Sequence, residues 1–261
     1  MERRQEGWPV VSDVTKFVFA ADNHGELGSA DALAALYAYC KDFKPDVRIA
    51  GGDHYDCAAL RKGAMQEMEG VRSLKDDFDA GKDFFAKFRP THTLWGNHEY
   101  RLEHLARIHA SSVVRDFCAD RFSEINRHAR QCGSKVIVPY RRDKPVRIGP
   151  ITAHHGIGSD LTKMGMFYCQ EGGLFVCGHG HTGQQVNLPK LGRGAAYMAP
   201  ALAQLDLLEY SENTLSAAKH NNGFIAGWYK GNEWKAWIIH RLGDGKWYWQ
   251  TDIRTFTPKT K

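Results

Sequence analysis

No C-x-x-C pair occurs among the six cysteines (Cys40, Cys57, Cys118, Cys132, Cys169 and Cys177), which argues against both a thiolate zinc cluster and a disulfide framework. They read as reduced, mostly buried thiols. No apolar run approaches the ~20 residues that a bilayer span requires. The start, Met1 to Glu6 followed by Gly7, Trp8 and Pro9, lacks the apolar core of a signal peptide, so a cytoplasmic protein without membrane partners is expected. No internal repeat and no stretch rich in Pro, Gly or Ser marks a boundary, and 261 residues suit one sizeable core. A single domain over 1–261 is therefore expected. Neither sign of charge dominates: 35 Lys and Arg against 30 Asp and Glu leave +5, which favours an anionic substrate without demanding nucleic acid.

What is present is a recurring alternation of short apolar run, polar turn and helix. Phe17–Ala21 is continuously apolar and stops at Asp22, as expected of a strand covered on both faces. Leu33, Leu36, Tyr37 and Cys40 then fall at helical spacing between a Ser29 N-cap and Pro45. Further strands are expected at 46–50, 91–95, 151–153 and 174–177, and one or two charged helices over 99–130. From Gly223 onward, Trp and Tyr alternate with polar residues around Gly231-Asn232 and Asp244-Gly245, two hairpin signals. The motif-bearing part is thus 17–182, with C-terminal strands expected over 195–256 as an antiparallel sheet.

In α/β folds, ligands bind beyond the carboxyl ends of the strands, so residues that follow each strand should converge in space. Those residues are Asp22-Asn23-His24, Gly52-Asp53-His54-Tyr55-Asp56, Gly96-Asn97-His98-Glu99, His154-His155-Gly156 and Gly178-His179-Gly180-His181. Any one of them has a bland explanation as a turn or cap. Five in succession, each rich in oxygen or imidazole donors, point to a metal site built without thiolates and suited to Mn²⁺, Fe or Zn²⁺.

In order, D-x-H, G-D-x-x-D, G-N-H-E, H-G and G-H-x-H over residues 22–181 resemble the calcineurin-like metallophosphoesterase superfamily. The resemblance implies an α/β protein with a four-layer α/β/β/α sandwich and two divalent metal ions, Mn first, with Fe, Zn or Ni as alternatives. By match to the family motifs, Asp22, His24 and His181 hold one ion, Asn97, His155 and His179 the other, and Asp53 bridges them. Two ions ~3.5 to 4 Å apart lower the pKa of a bridging water, so that hydroxide attacks the phosphorus directly. The resemblance also makes His98 the general acid that protonates the leaving oxygen, steered by Asp56. The His just before Gly156 is the family ligand, which leaves His154 to the sheet or the surroundings of the site. His54 and Tyr55 occupy the variable positions of their motif and read as packing. His92, His104, His109, His128, His220 and His240 lack such context and read as structural or surface residues.

The protein-phosphatase branch of that superfamily carries arginines where this chain has Cys57 and Trp95, so that branch is disfavoured. The short form looks more like stand-alone prokaryotic or phage phosphoesterases. Arg61, Lys62 and Arg101 follow the metal motifs closely enough to grip an anionic substrate, with solvated helix faces as the alternative. The C-terminal aromatics read as cross-strand pairs, with base stacking as the alternative. The expected activity is a phosphodiesterase acting on nucleotides or DNA. A phosphomonoesterase or phosphoprotein phosphatase on the same site is the alternative. A non-catalytic interaction module is disfavoured because no expected ligand type is missing.

Overall fold

The computed structural model describes residues 14–61, 72–208 and 217–248. Four parallel strands, β1 (Thr15–Ala20), β2 (Val47–Ala50), β3 (His92–Leu94) and β4 (Val136–Val138), lie side by side in that order. A second sheet has the order β5 (Val146–Ile148), β6 (Ile151–His154), β7 (Leu174–Cys177), β9 (Gly194–Met198) and β8 (Gln184–Leu188); its three middle strands are parallel and its edge strands antiparallel. The chain then returns to the first sheet. Strand β10 (Gly223–Lys230) pairs antiparallel with β1, and β11 (Glu233–Arg241) and β12 (Trp247–Tyr248) extend that edge. Gly231-Asn232 and the Asp244-Gly245 segment form the two turns expected of them.

The period-two alternation of β1 shows how the layers form. Phe17 and Phe19 point between the sheets, where they meet Ile151, Ala153, Leu174 and Val176. Val18 and Ala20 point the other way, into a core shared with α1 (Ala30–Phe43), α2 (Leu74–Phe88), α3 (Asn97–Ile108) and α4 (Ser112–Gln131). On the far face of the second sheet, α5 (Leu161–Tyr168) packs Met164 and Tyr168 against Phe175 and Met198. The result is the α/β/β/α order. Every side chain of Phe17–Ala21 is 0% exposed, and each large one contributes ~1.5 to 3 kcal/mol by burial.

Ser29 caps α1 as expected, accepting a bond from Ala32 N at 3.3 Å. Residues 195–198, grouped with the C-terminal strands from the sequence, instead belong to the five-residue strand β9 and run parallel to β7 in the second sheet. All five are buried, which fits an interior strand better than an exposed hairpin. The C-terminal aromatics are consumed by packing: Trp237 donates to Tyr39 Oη at 3.3 Å and Trp247 to Asp31 Oδ2 at 3.2 Å. Trp249 lies outside the described residues. Among those residues, no helix is long and apolar enough to cross a membrane.

Candidate metal centre

Strands β1, β2, β3, β6 and β7 all release their polar residues at one end of the sandwich, and the turns that follow are sharp. Asp22, His24, Asp53, His179 and His181 all have positive φ, between 50° and 70°. L-residues seldom enter this region, and strain of order 1–3 kcal/mol per residue persists only where surrounding contacts over-determine the backbone. Two glycines make the close approach feasible. A Cβ on Gly96 would stand 2.1 Å from Asp53 Oδ1, and one on Gly52, at φ +104°, would stand 2.5 Å from His155 Nδ1.

Two donor sets result. In the first, His24 Nδ1 is committed to Asp56 Oδ1 at 2.8 Å, so its Nε2 faces the Nε2 of His181 at 3.2 Å. Asp22 Oδ1 lies 3.4 Å from the same His181 nitrogen. In the second, His155 gives Nδ1 to Gly51 O at 2.9 Å, and its Nε2 faces Asn97 Oδ1 at 3.1 Å and Asp53 Oδ2 at 3.1 Å. His179 Nδ1 stands 2.9 Å from the same Asn97 oxygen. Lone-pair atoms thus point at one another inside a buried space, which is the arrangement a cation between them relieves. Asp22, His24 and His181, and separately Asp53, His155 and His179, each bring ligand atoms within 4.8 Å of one another. His24, Asp53 and His98 form a third such group. The donor set therefore fits divalent ions held by oxygen and imidazole.

The electrostatics reflect that crowding. Burial disfavours charge on Asp53, but the His155 and His98 imidazoles hold its pKa well below the usual carboxylate range. Burial likewise opposes charge on His155, yet the Asp53 carboxylate raises it to about 9. His179, desolvated and repelled by His155, falls to about 4.

His98 stands at the edge of this space. Its Nδ1 lies 2.8 Å from Asp56 Oδ1 and 2.7 Å from Asp56 O, which fixes the proton on that nitrogen and turns Nε2 toward the donor sets, 3.7 Å from Asp53 Oδ2. Burial works against its charge, but Asp53 and Asp56 together raise its pKa. The structure also places Arg101 here. Its guanidinium donates to Asp56 O at 2.9 Å and Cys57 O at 3.2 Å, with Nη2 only 3.3 Å from His98 Nε2.

Two carboxylates that sequence reasoning did not single out hold this loop in shape. Glu99, on α3, accepts from the backbone N–H groups of Asp53 (3.1 Å), His54 (2.6 Å), Tyr55 (2.9 Å) and Gly96 (2.8 Å). Asp77, on α2, accepts from Asp56 N at 2.8 Å and Cys57 N at 2.9 Å. The G-N-H-E motif contained the signal for Glu99. Nothing local marked Asp77, which arrives from a helix 20 residues further on.

The remaining residues fall into place around the site. His154 points away from the donor sets, with Nε2 on Arg141 O at 2.9 Å and Nδ1 accepting from Gly156 N. His54 bonds Asn23 Oδ1 at 2.5 Å and stacks on Phe84, and burial pushes its pKa down to about 3. Tyr55 is buried among Phe78, Phe85 and Trp95. Cys57 and Trp95 are both buried, so neither offers the substrate a side chain. Arg61 ends the short 3-10 turn Ala58–Leu60, half-buried. Lys62 lies outside the described residues. His220, read from the sequence as structural or surface, stands 5.1 Å from the His181 ring.

The fold and site are those of a protein able to hold divalent ions, and the family match makes it a metal-dependent phosphoesterase. The family model for calcineurin-like phosphoesterases matches residues 15–233, and the chain belongs to that family. A search of curated protein sequences finds no match. Among solved structures, the chain is similar to YfcE, a phosphoesterase from E. coli (12% identity, 89% of this chain and 96% of that one, TM-score 0.40). It is also similar to Vps29 from Entamoeba histolytica (9%, 93% and 99%, TM-score 0.39) and to PhoD (12%, 95% and 72%, TM-score 0.43). At such scores none of these bears on what this chain acts upon.

Proposed function

We propose that this metal-dependent phosphoesterase is a phosphodiesterase acting on nucleotides or DNA, with two divalent ions held by Asp22, His24 and His181 and by Asn97, His155 and His179, and with Asp53 shared between them. The observation that carries the reading is the pair of convergent donor sets joined at Asp53, with the His98–Asp56 pair at their edge. Manganese is the first choice of ion, since carboxylate, amide and imidazole donors without thiolate suit it. Such ions supply Lewis-acid polarisation of the phosphoryl oxygens and of the attacking water.

The chain's own residues do the rest. Asp56 keeps the Nδ1 proton of His98 in place and favours the charged imidazole, so Nε2–H can be delivered to the leaving oxygen. Arg101 Nη2 stands 3.3 Å from His98 Nε2, close enough for its guanidinium to grip a substrate oxygen beside that nitrogen. Arg101 thereby brings a guanidinium to the loop at Cys57, whose own side chain faces the core.

This arrangement leaves the site without the paired arginines of protein phosphatases, and diesters should be turned over at least as fast as monoesters of equal leaving group. Manganese-loaded protein assayed on bis-p-nitrophenyl phosphate, p-nitrophenyl phosphate and a phosphoserine peptide tests this. A strong preference for the phosphopeptide would replace it with the phosphomonoesterase reading.

A further inference from the structure

Strands β1, β2 and β3 each deliver a donor two or three residues beyond their ends: Asp22, Asp53 and Asn97. Strand β4 is parallel to them and ends at Val138, so the same geometry delivers Tyr140 to the same rim. Its ring lies 5.8 Å from that of His155, edge to face, and is half-buried. Resting on the phosphodiesterase reading, we propose that Tyr140 is a platform on which the base of the retained nucleoside stacks, so that the substrate is a single-stranded or mononucleotide phosphodiester.

Three further observations support it. The platform is rigid. The segment carrying Tyr140 is tied from the second sheet and α5 by two bonds to consecutive carbonyls: His154 Nε2 to Arg141 O at 2.9 Å and Tyr168 Oη to Arg142 O at 2.7 Å. A ring held in place before binding loses little entropy when a base arrives. This also gives His154, adjacent to a metal donor yet turned away from it, a task of its own.

The platform also continues. Tyr100 lies 6.0 Å from Tyr140, and His104 lies 5.6 Å from Tyr100. Tyr100, His104 and Arg107 are at i, i+4 and i+7 of α3, on one face of the helix. Lastly, the strip is cationic. The Arg107 and Arg141 guanidiniums each lie 5.9 Å from the Tyr100 ring centroid, and Arg107 donates to Tyr100 Oη at 3.1 Å. Arg101 adds a third guanidinium at the scissile position, beside Asp56, and Arg141 also pairs with Glu103. Aromatic faces interleaved with arginines are what a single strand needs, and a duplex hides its base faces in its own stack.

The leaving group belongs at His98 and the retained group on the His155 side, next to Tyr140. The test uses full-length, manganese-loaded protein and chromogenic esters that share a leaving group: the 5′- and 3′-(p-nitrophenyl) phosphates of thymidine, and methyl p-nitrophenyl phosphate. Wild type should favour one thymidine ester over the methyl ester in kcat/KM. Tyr140→Ala should cut that ratio by about five- to tenfold, chiefly through KM, as loss of one base–aromatic stack implies, and Tyr140→Phe should keep it. No nucleoside preference in wild type, or a ratio unmoved in a Tyr140→Ala variant that still holds its metals, would overturn the platform while the phosphodiesterase reading stands. If none of these diesters is hydrolysed, that reading fails on its own. Fluorescence anisotropy with oligothymidylate and a duplex of equal length then judges the platform. Tighter binding of the single strand, weakened by Tyr140→Ala, sustains it; equal binding of both, or a single strand indifferent to the variant, overturns it.

Discussion

At the scale of single residues, His98 is the sharpest case because its two ring nitrogens face different partners. Asp56 takes Nδ1, and Nε2 turns to the donor sets. His98→Ala should retain both ions and lower turnover of an alkyl diester on the order of 10²- to 10⁴-fold. A p-nitrophenyl ester, whose leaving phenolate is stable without a proton, should lose far less, and Asp56→Asn should follow the same pattern more mildly. Steady-state rates on both ester types beside metal analysis check this, and equal losses on both would assign His98 to charge stabilisation instead. The convergence of these donors was legible in the sequence because each motif places them immediately after a strand. The placement of Asp77 and Tyr140 was not legible, since it depends on which helix and which strand end happen to face the loop.

At the scale of elements, the loop after β2 is shaped by α3 through Glu99, whose carboxylate serves four backbone N–H groups. An amide can accept at one atom only and turns an N–H donor toward the others. Glu99→Gln should therefore weaken metal affinity by roughly 10- to 100-fold, as loss of an outer partner of a metal site does, with the fold retained by circular dichroism. Competition with a chelator measures it, and unchanged affinity would show that the loop holds its shape alone. Strands β1, β2, β3, β6 and β7 could be read from the sequence because apolar runs stop at turn residues. Strand β4 could not: Val136–Val138 is only three residues long and partly exposed, so it lacks the continuous burial that gives the others away. Helix α2 was legible too, since Phe78, Phe84, Phe85 and Phe88 recur at helical spacing behind a Ser73 N-cap, although no helix was expected there.

At the scale of the molecule, the two-sheet sandwich buries an acid between α2 and the site. Burial and the nearby Asp56 and Glu99 charges push the Asp77 carboxyl up to about 7, against its bonds from Cys57 and Asp56 N–H. A carboxyl with a folded pKa above its unfolded value adds stability that is full below pH ~4 and lost as pH rises through ~7. Asp77→Asn should remove that dependence. Urea unfolding at pH 5 and pH 8 should show wild type losing up to roughly 2.5 kcal/mol more than the variant between the two. Parallel pH profiles would mean that Asp77 stays ionised throughout. The layer order followed from the motif resemblance, but the return of the C-terminal strands to the β1 edge did not, since hairpin turns specify local pairing and leave the choice of sheet open.

The central claim is that two ions share Asp53, and metal analysis of purified wild type and Asp53→Ala after loading with manganese tests it directly. The account predicts two ions per active wild-type chain and loss of both in the variant. A single ion in active wild type, or one ion fully retained without the Asp53 carboxylate, would contradict it.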